Sequence, residues 1–304
     1  MIENLNDNEI DLRESFSILW QSKKAIILFT LLAAILSLGF SLTQPNIYKS
    51  SALLSPIDDE GEGSLSSLLG QFGGLASMAG ISLTSTNSNI PNSELALEVL
   101  KSRAFINKFI HKHEILPYLF AVDYWDIDSR EIVLDKRIYN SNSKEWLRDV
   151  SPPQTKIPSS QEAFEEFISI LNVEQDRSNG LVTVSLKHQS PDTAKQWVDW
   201  IVEDINEVMR QKTINESHES IKYLKQQASE TNLSNLDQVF FSLMQSQMQK
   251  MMLAEVRREY VLSTVDPAIS PELKSEPYRA LICILGNLLG ALIAVIFLIS
   301  KHYI

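Results

Sequence analysis

AIILFTLLAAILSLGFSL, residues 25–42, carries no charged side chain, and its only polar interruptions are Thr30, Ser37 and Ser41. As a helix it spans roughly 27 Å, close to the ~30 Å hydrocarbon core of a bilayer. A second block, ALICILGNLLGALIAVIFLI, fills residues 280–299, with Asn287 as its only strongly polar member. Lipid offers an exposed backbone no partner, so a spanning segment of this length is a helix. A soluble core helix is rarely apolar on every face for about five turns. Both blocks therefore read as transmembrane helices. The residues before the first block include Glu3, Asp7, Glu9, Asp11 and Glu14. A cleaved signal peptide has instead a short basic leader and a small-x-small exit. The exit here is SLTQPN, so a retained anchor is expected.

Two spans put both termini on one side. Arg13, Lys23, Lys24 and Lys301 lie on the terminal side, against Lys49, Lys274 and Arg279 on the other. That bias favours cytoplasmic termini. The expected organisation is a cytoplasmic leader over 1–24, a span over 25–42, a periplasmic domain over 43–278, a second span over 279–300 and a cytoplasmic tail over 301–304. Inside the domain, composition separates an α/β base (about 43–190), long helices (about 191–264) and a Pro-rich exit (265–278). The fold class expected is an α+β membrane protein with a long protruding helical arm. The chain has 304 residues, with 27 Lys+Arg against 38 Asp+Glu and a net charge of −11. That acidity argues against nucleic acid as a partner, which needs a basic face. The one Cys, Cys283, falls inside the second span. A disulfide framework and a Cys-rich zinc site are excluded, and a thiol-free domain suits an oxidising compartment.

The domain's pattern is uneven. IYKSSALLSPI, residues 47–57, reads as a strand closed by Pro56. Six of the ten Gly fall between Gly61 and Gly80, interleaved with Leu65, Leu68, Leu69, Phe72, Leu75 and Met78. This is either a mobile apolar segment near the membrane surface or a loop whose apolar residues pack on the base. Leu95, Val99, Leu100, Phe105, Ile106, Phe109 and Ile110 make one helical stripe over 92–114. Residues 161–171 read as a short amphipathic helix, and 171–191 as a hairpin turning at Asn179-Gly180. From Asp192 to Asp266 there is no Gly and no Pro, which points to long helix. NLSN at 232–235 is the expected break. Trp197, Ile201, Ile205 and Val208, with Leu243, Met244, Met248 and Met251, form the helix stripe expected between subunits of an oligomer; over Leu236–Val261 the stripe Val239, Phe240, Leu243, Met244, Met248, Met251 and Met252 reads as core or subunit contact. A Met-lined binding groove is the sharper alternative. The middle of the run, 211–235, is polar nearly all round and needs solvent or identical neighbours. Pro267, Pro271 and Pro277 are expected to stiffen the exit. In the second span, Gly286-x-x-x-Gly290 permits close helix approach, and Asn287 is an interhelical hydrogen-bond candidate.

No catalytic, cofactor or metal site is expected. The chain has no G-x-S-x-G, H-E-x-x-H or phosphate-binding P-loop motif. His111-Lys112-His113-Glu114 reads as a solvated helix end, because i and i+2 side chains on a helix point apart. Asp126-Ile127-Asp128 is similar to the D-x-D of nucleotide-sugar transferases, but two Asp in an acidic chain occur readily by chance.

The chain as a whole resembles the bacterial polysaccharide co-polymerases, the Wzz-type chain-length determinants. The resemblance rests on IDLRESFSILWQSKKAII, on YKSSALLSP with GGLASMAG, and on WDIDSREIVLDKRIYNSNSKEW. It continues in GLVTVSLKHQSPDTAKQWVDWIVEDIN and in VRREYVLSTVDPAISPELKSEPYRALI. It implies a non-enzymatic role without cofactors. An α/β base at the inner membrane carries a long helix with coiled-coil character, in a homo-oligomeric ring of about eight subunits. It also implies a Wzy-type polymerase as partner and control of the modal length of a lipid-linked polysaccharide such as O-antigen. Gly286, Asn287 and Gly290 would offer that polymerase a lateral contact. Two competing readings predict different things. An adaptor for a separate cytoplasmic kinase in capsule or exopolysaccharide export has only the leader to bind it, since the tail is SKHYI. A glycosyltransferase needs Asp126 and Asp128 for any polymer at all.

Overall fold

The computed structural model describes residues 23–57, 91–230 and 234–303. The acidic leader and the Gly-rich stretch 61–80 lie outside the described residues. The described chain forms two units, one of the residues up to Ile47 with Leu273 onward, the other of Tyr48–Glu272.

The first unit pairs α1 (Lys23–Thr43) with α8 (Arg279–Tyr303). Both are long and apolar enough to cross a membrane. Ile27, Leu28, Leu31, Leu32, Ile35 and Leu36 are each more than half exposed, as are Ile284, Leu288 and Ile293. A water-facing surface of that kind would cost roughly 25 cal/mol per Å² of apolar area, whereas lipid removes the cost. Thr30 Oγ1 donates to the carbonyl of Ile26 at 3.0 Å and Ser37 Oγ to that of Ala34 at 3.0 Å. Thr30 and Ser37 are thus satisfied by their own helix, whereas the buried Ser41 Oγ has no hydrogen-bond partner among the described residues.

The second unit mixes helix and sheet. β1 (Tyr48–Pro56), β6 (Leu171–Gln175), β7 (Val182–His188) and β8 (Leu262–Asp266) form one antiparallel sheet in the order β6-β7-β1-β8. Between β1 and β6 lie α2 (Asn92–Leu100), α3 (Arg103–Lys112), α4 (Leu116–Phe120) and α5 (Ser160–Ile170). Two small ribbons interrupt them, β2 (Val122–Asp126) with β3 (Glu131–Leu134) and β4 (Tyr139–Asn140) with β5 (Glu145–Trp146). Then α6 (Pro191–Glu230) and α7 (Ser234–Val256) form the arm. At about 1.5 Å per residue, α6 is roughly 60 Å long.

Alternation builds the core. Val182, Val184 and Leu186 of β7, with Ala52 and Leu54 of β1, are buried on one sheet face. They share a single apolar cluster with Trp197, Val198, Ile201 and Ile205 of α6 and with Phe105, Ile106, Phe109 and Ile110 of α3. The hairpin turns where expected, with Gly180 at φ 73, a left-handed conformation that glycine adopts without a Cβ penalty.

Two expectations change. The helix over 92–114 is two helices, because Ser102 leaves the helical path and its Oγ accepts from the Phe105 N–H at 3.2 Å. That cap restarts the chain as α3. The run from Asp192 to Asp266 does not stay helical, since its last five residues are the edge strand β8, paired with β1. The described helices are α6 to Glu230 and α7 from Ser234, and residues 231–233, where the break at NLSN is expected, lie outside the described residues.

Candidate functional site

Two surfaces carry the residues singled out in the sequence, one in each unit.

In the first unit, the glycine pair is already occupied. A Cβ on Gly286 would lie 2.4 Å from Ser37 Cβ, and one on Gly290 would lie 2.3 Å from Ala33 Cβ. The fully buried Ala294 extends the same face one turn further. Small residues at i, i+4 and i+8 of α8 thus receive Ala33 and Ser37 of α1, a small-xxx-small packing within one chain. The chain's own first span thus fills the face that Gly286 and Gly290 were expected to offer a polymerase. Asn287 sits elsewhere on the helix and is exposed. Phe29 and Phe297 close the helix pair with ring centroids 5.8 Å apart. Pro277 belongs to this unit, whereas Pro267 and Pro271 follow β8 in the other; none lies in a helix or strand.

In the second unit, the arm has two apolar faces. Trp197, Ile201 and Ile205 are buried in the protomer's own core, with Val208 packed against it. Trp197, Ile201 and Ile205 therefore serve the protomer's own core, where the sequence pattern assigned them to a stripe between subunits. On α7, Val239, Phe240 and Ala254 are buried. Leu243, Met244 and Met251 are half-buried, and Met248 is exposed. Around it a second stripe faces outward, made of Phe241, Met248, Met252 and Val256, which are 68%, 50%, 61% and 82% exposed. Spacings of seven, four and four put these four on one side of the helix.

The base of α6 carries polar residues that periodicity passed over. Asp204 is buried, and both Lys112 and the His113 ring bond its carboxylate, the latter at 2.9 Å. The hydrogen bond from Lys112 to Asp204 raises the Lys112 pKa. His113 also stacks on Trp200, with centroids 4.2 Å apart. The end of α3 is thus pinned to α6 through Lys112 and His113, while His111, Lys112 and Glu114 keep exposed surface, as expected of a helix end. Asn206, also buried, accepts through Oδ1 from the N–H groups of Tyr260, Val261 and Leu262 at 2.8, 2.9 and 3.1 Å. Its amide donates to the carbonyls of Leu262 and Val202 at 2.9 and 3.0 Å. Asp204 lies three residues after Ile201 and seven after Trp197, and Asn206 four after Val202 and three before Met209. A polar residue falling on an apolar face was the available signal for both.

The remaining polar candidates are structural. Asp126 Oδ1 accepts from the Asp128 N–H at 3.0 Å and Oδ2 from Ser129 Oγ at 3.0 Å, which closes the β2–β3 turn. The Asp128 N–H, with that hydroxyl, holds the Asp126 carboxyl below its usual value. Asp192, at the start of α6, accepts from Ser270 Oγ at 2.6 Å and from Arg130 Nη2 at 2.8 Å. These bonds, the Ser270 hydroxyl foremost, likewise lower its pKa. A groove of about 470 Å³ beside α6 includes Asp199, Glu207, Arg210 and Glu259 in its wall. Three of the four carboxylates in its wall have partners, Lys195 for Asp199, Arg210 for Glu207, and Ser263 with Thr264 for Glu259; Glu203 is the fourth. Among the described residues no group of three or more His, Cys, Asp or Glu is placed to hold a metal.

Comparison with known proteins gives one family. Residues 8–113 match the model of the Wzz family, described as chain length determinant protein. Over that stretch the chain is similar to the Wzz family. No curated protein sequence matches the chain. A solved full-length bacterial polysaccharide co-polymerase aligns over 97% of this chain and 98% of its own, at 16% identity and a TM-score of 0.38. A fragment of WzzB, a polysaccharide co-polymerase from Salmonella Typhimurium, aligns over 76% of this chain and 100% of its own, at 12% identity and a TM-score of 0.33. At such scores the backbones diverge widely, and the likeness fixes no feature of this chain. The Wzz-type match covers β1, α2 and α3 together with the first span.

Proposed function

We propose that this chain is a polysaccharide co-polymerase of the inner membrane. It sets the modal length of a lipid-linked surface polysaccharide made by a Wzy-type polymerase, and performs no bond chemistry itself. Both termini face the cytoplasm, and Tyr48–Glu272 is periplasmic. The observation that carries the reading is the outward stripe Phe241–Met248–Met252–Val256 on a chain with the Wzz match. A contiguous apolar stripe on a solvent-facing arm marks an interaction surface, and side-by-side copies of the same arm bury it. Closed symmetry then gives an assembly of set dimensions. The exposed Asn287 face of α8 is the one left to meet the polymerase, since the glycine face is filled.

Deletion of the gene tests this. The expected result is polymer that persists with an unregulated length distribution and recovers its modal band on complementation. Complete loss of polymer would favour an enzymatic role, and an unchanged ladder would reject the proposal. Loss of phosphorylation of a cytoplasmic kinase on removal of residues 1–24, with the ladder intact, would favour the adaptor.

A further inference from the structure

Two cations share one neutral oxygen at the head of the second span. Lys274 Nζ and Arg279 Nη2 both donate to Asn46 Oδ1, at 3.1 and 3.2 Å. A common acceptor holds the two charged groups within about 6 Å of each other, where like charges repel. An amide oxygen carries no charge to cancel them. Among the described residues no carboxylate lies within 4.0 Å of either cation. Arg279 Nε is buried and has no hydrogen-bond partner among the described residues.

The cluster is held by backbone. Ile47 N–H donates to the Glu276 carbonyl at 3.0 Å, and Ser275 donates to the Ile47 carbonyl through both its N–H, at 2.8 Å, and its Oγ, at 3.1 Å. These bonds pin the chain leaving α1 against the chain entering α8, and so fix Asn46, Lys274 and Arg279 together. Arg279 is also the first residue of the apolar span Arg279–Phe297. Beside it, Tyr278 is 67% exposed and Leu273 is 85% exposed. Amphipathic and apolar side chains flanking cations at a span's end suit the boundary between headgroup and acyl chain.

We propose that Lys274, Arg279 and Asn46 bind the phosphate of an anionic membrane lipid. A phosphodiester supplies two charged oxygens for the guanidinium fork and the ammonium, and cancels the repulsion that Asn46 leaves in place. A free inorganic anion offers the same phosphate chemistry. The lipid is the better source because the cations stand where the apolar helix begins, with Leu273 and Tyr278 exposed alongside.

The test uses the delipidated full-length protein in neutral detergent, titrated with phosphatidylglycerol and read by native mass spectrometry. Diacylglycerol, which lacks the phosphate, and inorganic phosphate are the comparison probes. The double variant Lys274→Gln with Arg279→Gln is expected to bind phosphatidylglycerol about ten-fold more weakly than the wild type. Diacylglycerol is expected to bind both alike. Lys274→Gln alone alters an exposed side chain, keeps the fold and is expected to weaken binding several-fold; Lys274→Arg restores it. Equal affinity of wild type and the Gln variants for phosphatidylglycerol would overturn the proposal. Displacement of phosphatidylglycerol by an equal concentration of inorganic phosphate would overturn the lipid as the ligand's source.

Discussion

Asn206 joins three consecutive N–H groups of the returning chain to the long helix through one oxygen. A buried donor left without an acceptor costs about 1–3 kcal/mol. Asn206→Ala strands three of them, so the loss expected is at least about 3 kcal/mol, or a fall of roughly 6–12 °C in the melting temperature of the full-length protein in detergent. A change under about 2 °C would mean that the strand is held by its β1 pairing alone. His188 makes a second test, this time through pH. Its Nδ1 accepts from the Ser190 N–H and its Nε2 donates to the Tyr118 carbonyl, each at 3.0 Å, so the bonds define a neutral ring. Burial pushes its pKa below the ordinary value. The unfolded chain, titrating near about 6.5, therefore takes up the proton first as pH falls. Stability from this group is complete above about pH 6.5 and is lost as pH falls below it. The wild-type melting temperature is expected to fall more steeply from pH 7 to pH 5 than that of His188→Gln, which cannot be protonated. Parallel curves would remove His188 from the account.

The two spans illustrate what composition alone reveals and what it conceals. Apolar length marked residues 25–42 and 280–299 as helices, and the G-x-x-x-G spacing marked a close contact. Spacing names one partner of such a contact and not the other. Only the 2.3 Å and 2.4 Å that separate hypothetical Cβ atoms from Ala33 and Ser37 assign it to α1. On a Cys283→Ser background, Phe29→Cys with Phe297→Cys, whose ring centroids lie 5.8 Å apart across the two helices, is expected to be bridged within one chain by a bis-maleimide. Crosslinked dimers on a denaturing gel would return the glycine face to an intermolecular role. Replacing Gly286 and Gly290 with Leu is expected to leave the protein in the membrane, force the helices apart and broaden the polysaccharide ladder. β8 escaped notice for a different reason. Leu262–Asp266 has five residues inside a long stretch without Gly or Pro, and helical periodicity swallows so short a strand. What holds it in place is nonlocal: β1 on one side and Asn206 on the other. The α5 helix and the β6–β7 hairpin were legible because their signals are local, Ser159 accepting from the Glu162 N–H and an Asn-Gly turn.

An arm whose inner face serves its own core and whose outer face is apolar must find a partner or carry exposed grease. Phe241, Met248 and Met252 are each at least half exposed, so replacing them with Gln removes no internal contact of consequence. The triple variant is expected to keep the wild-type helical signal in circular dichroism. Its mass in detergent, by light scattering, is expected to fall from that of an assembly to that of a protomer. If the stripe is where copies meet, the same variant is expected to make polymer without a modal length, as the deletion does. Control changes at Trp197 or Ile201 would unfold the base instead, because those residues are internal. The pairing of readouts discriminates among the readings. A folded protomer with a normal ladder would separate assembly from length control, and the proposed function would fail with it. An assembly of unchanged mass would leave the outer stripe to a different protein and reject the side-by-side packing of identical arms.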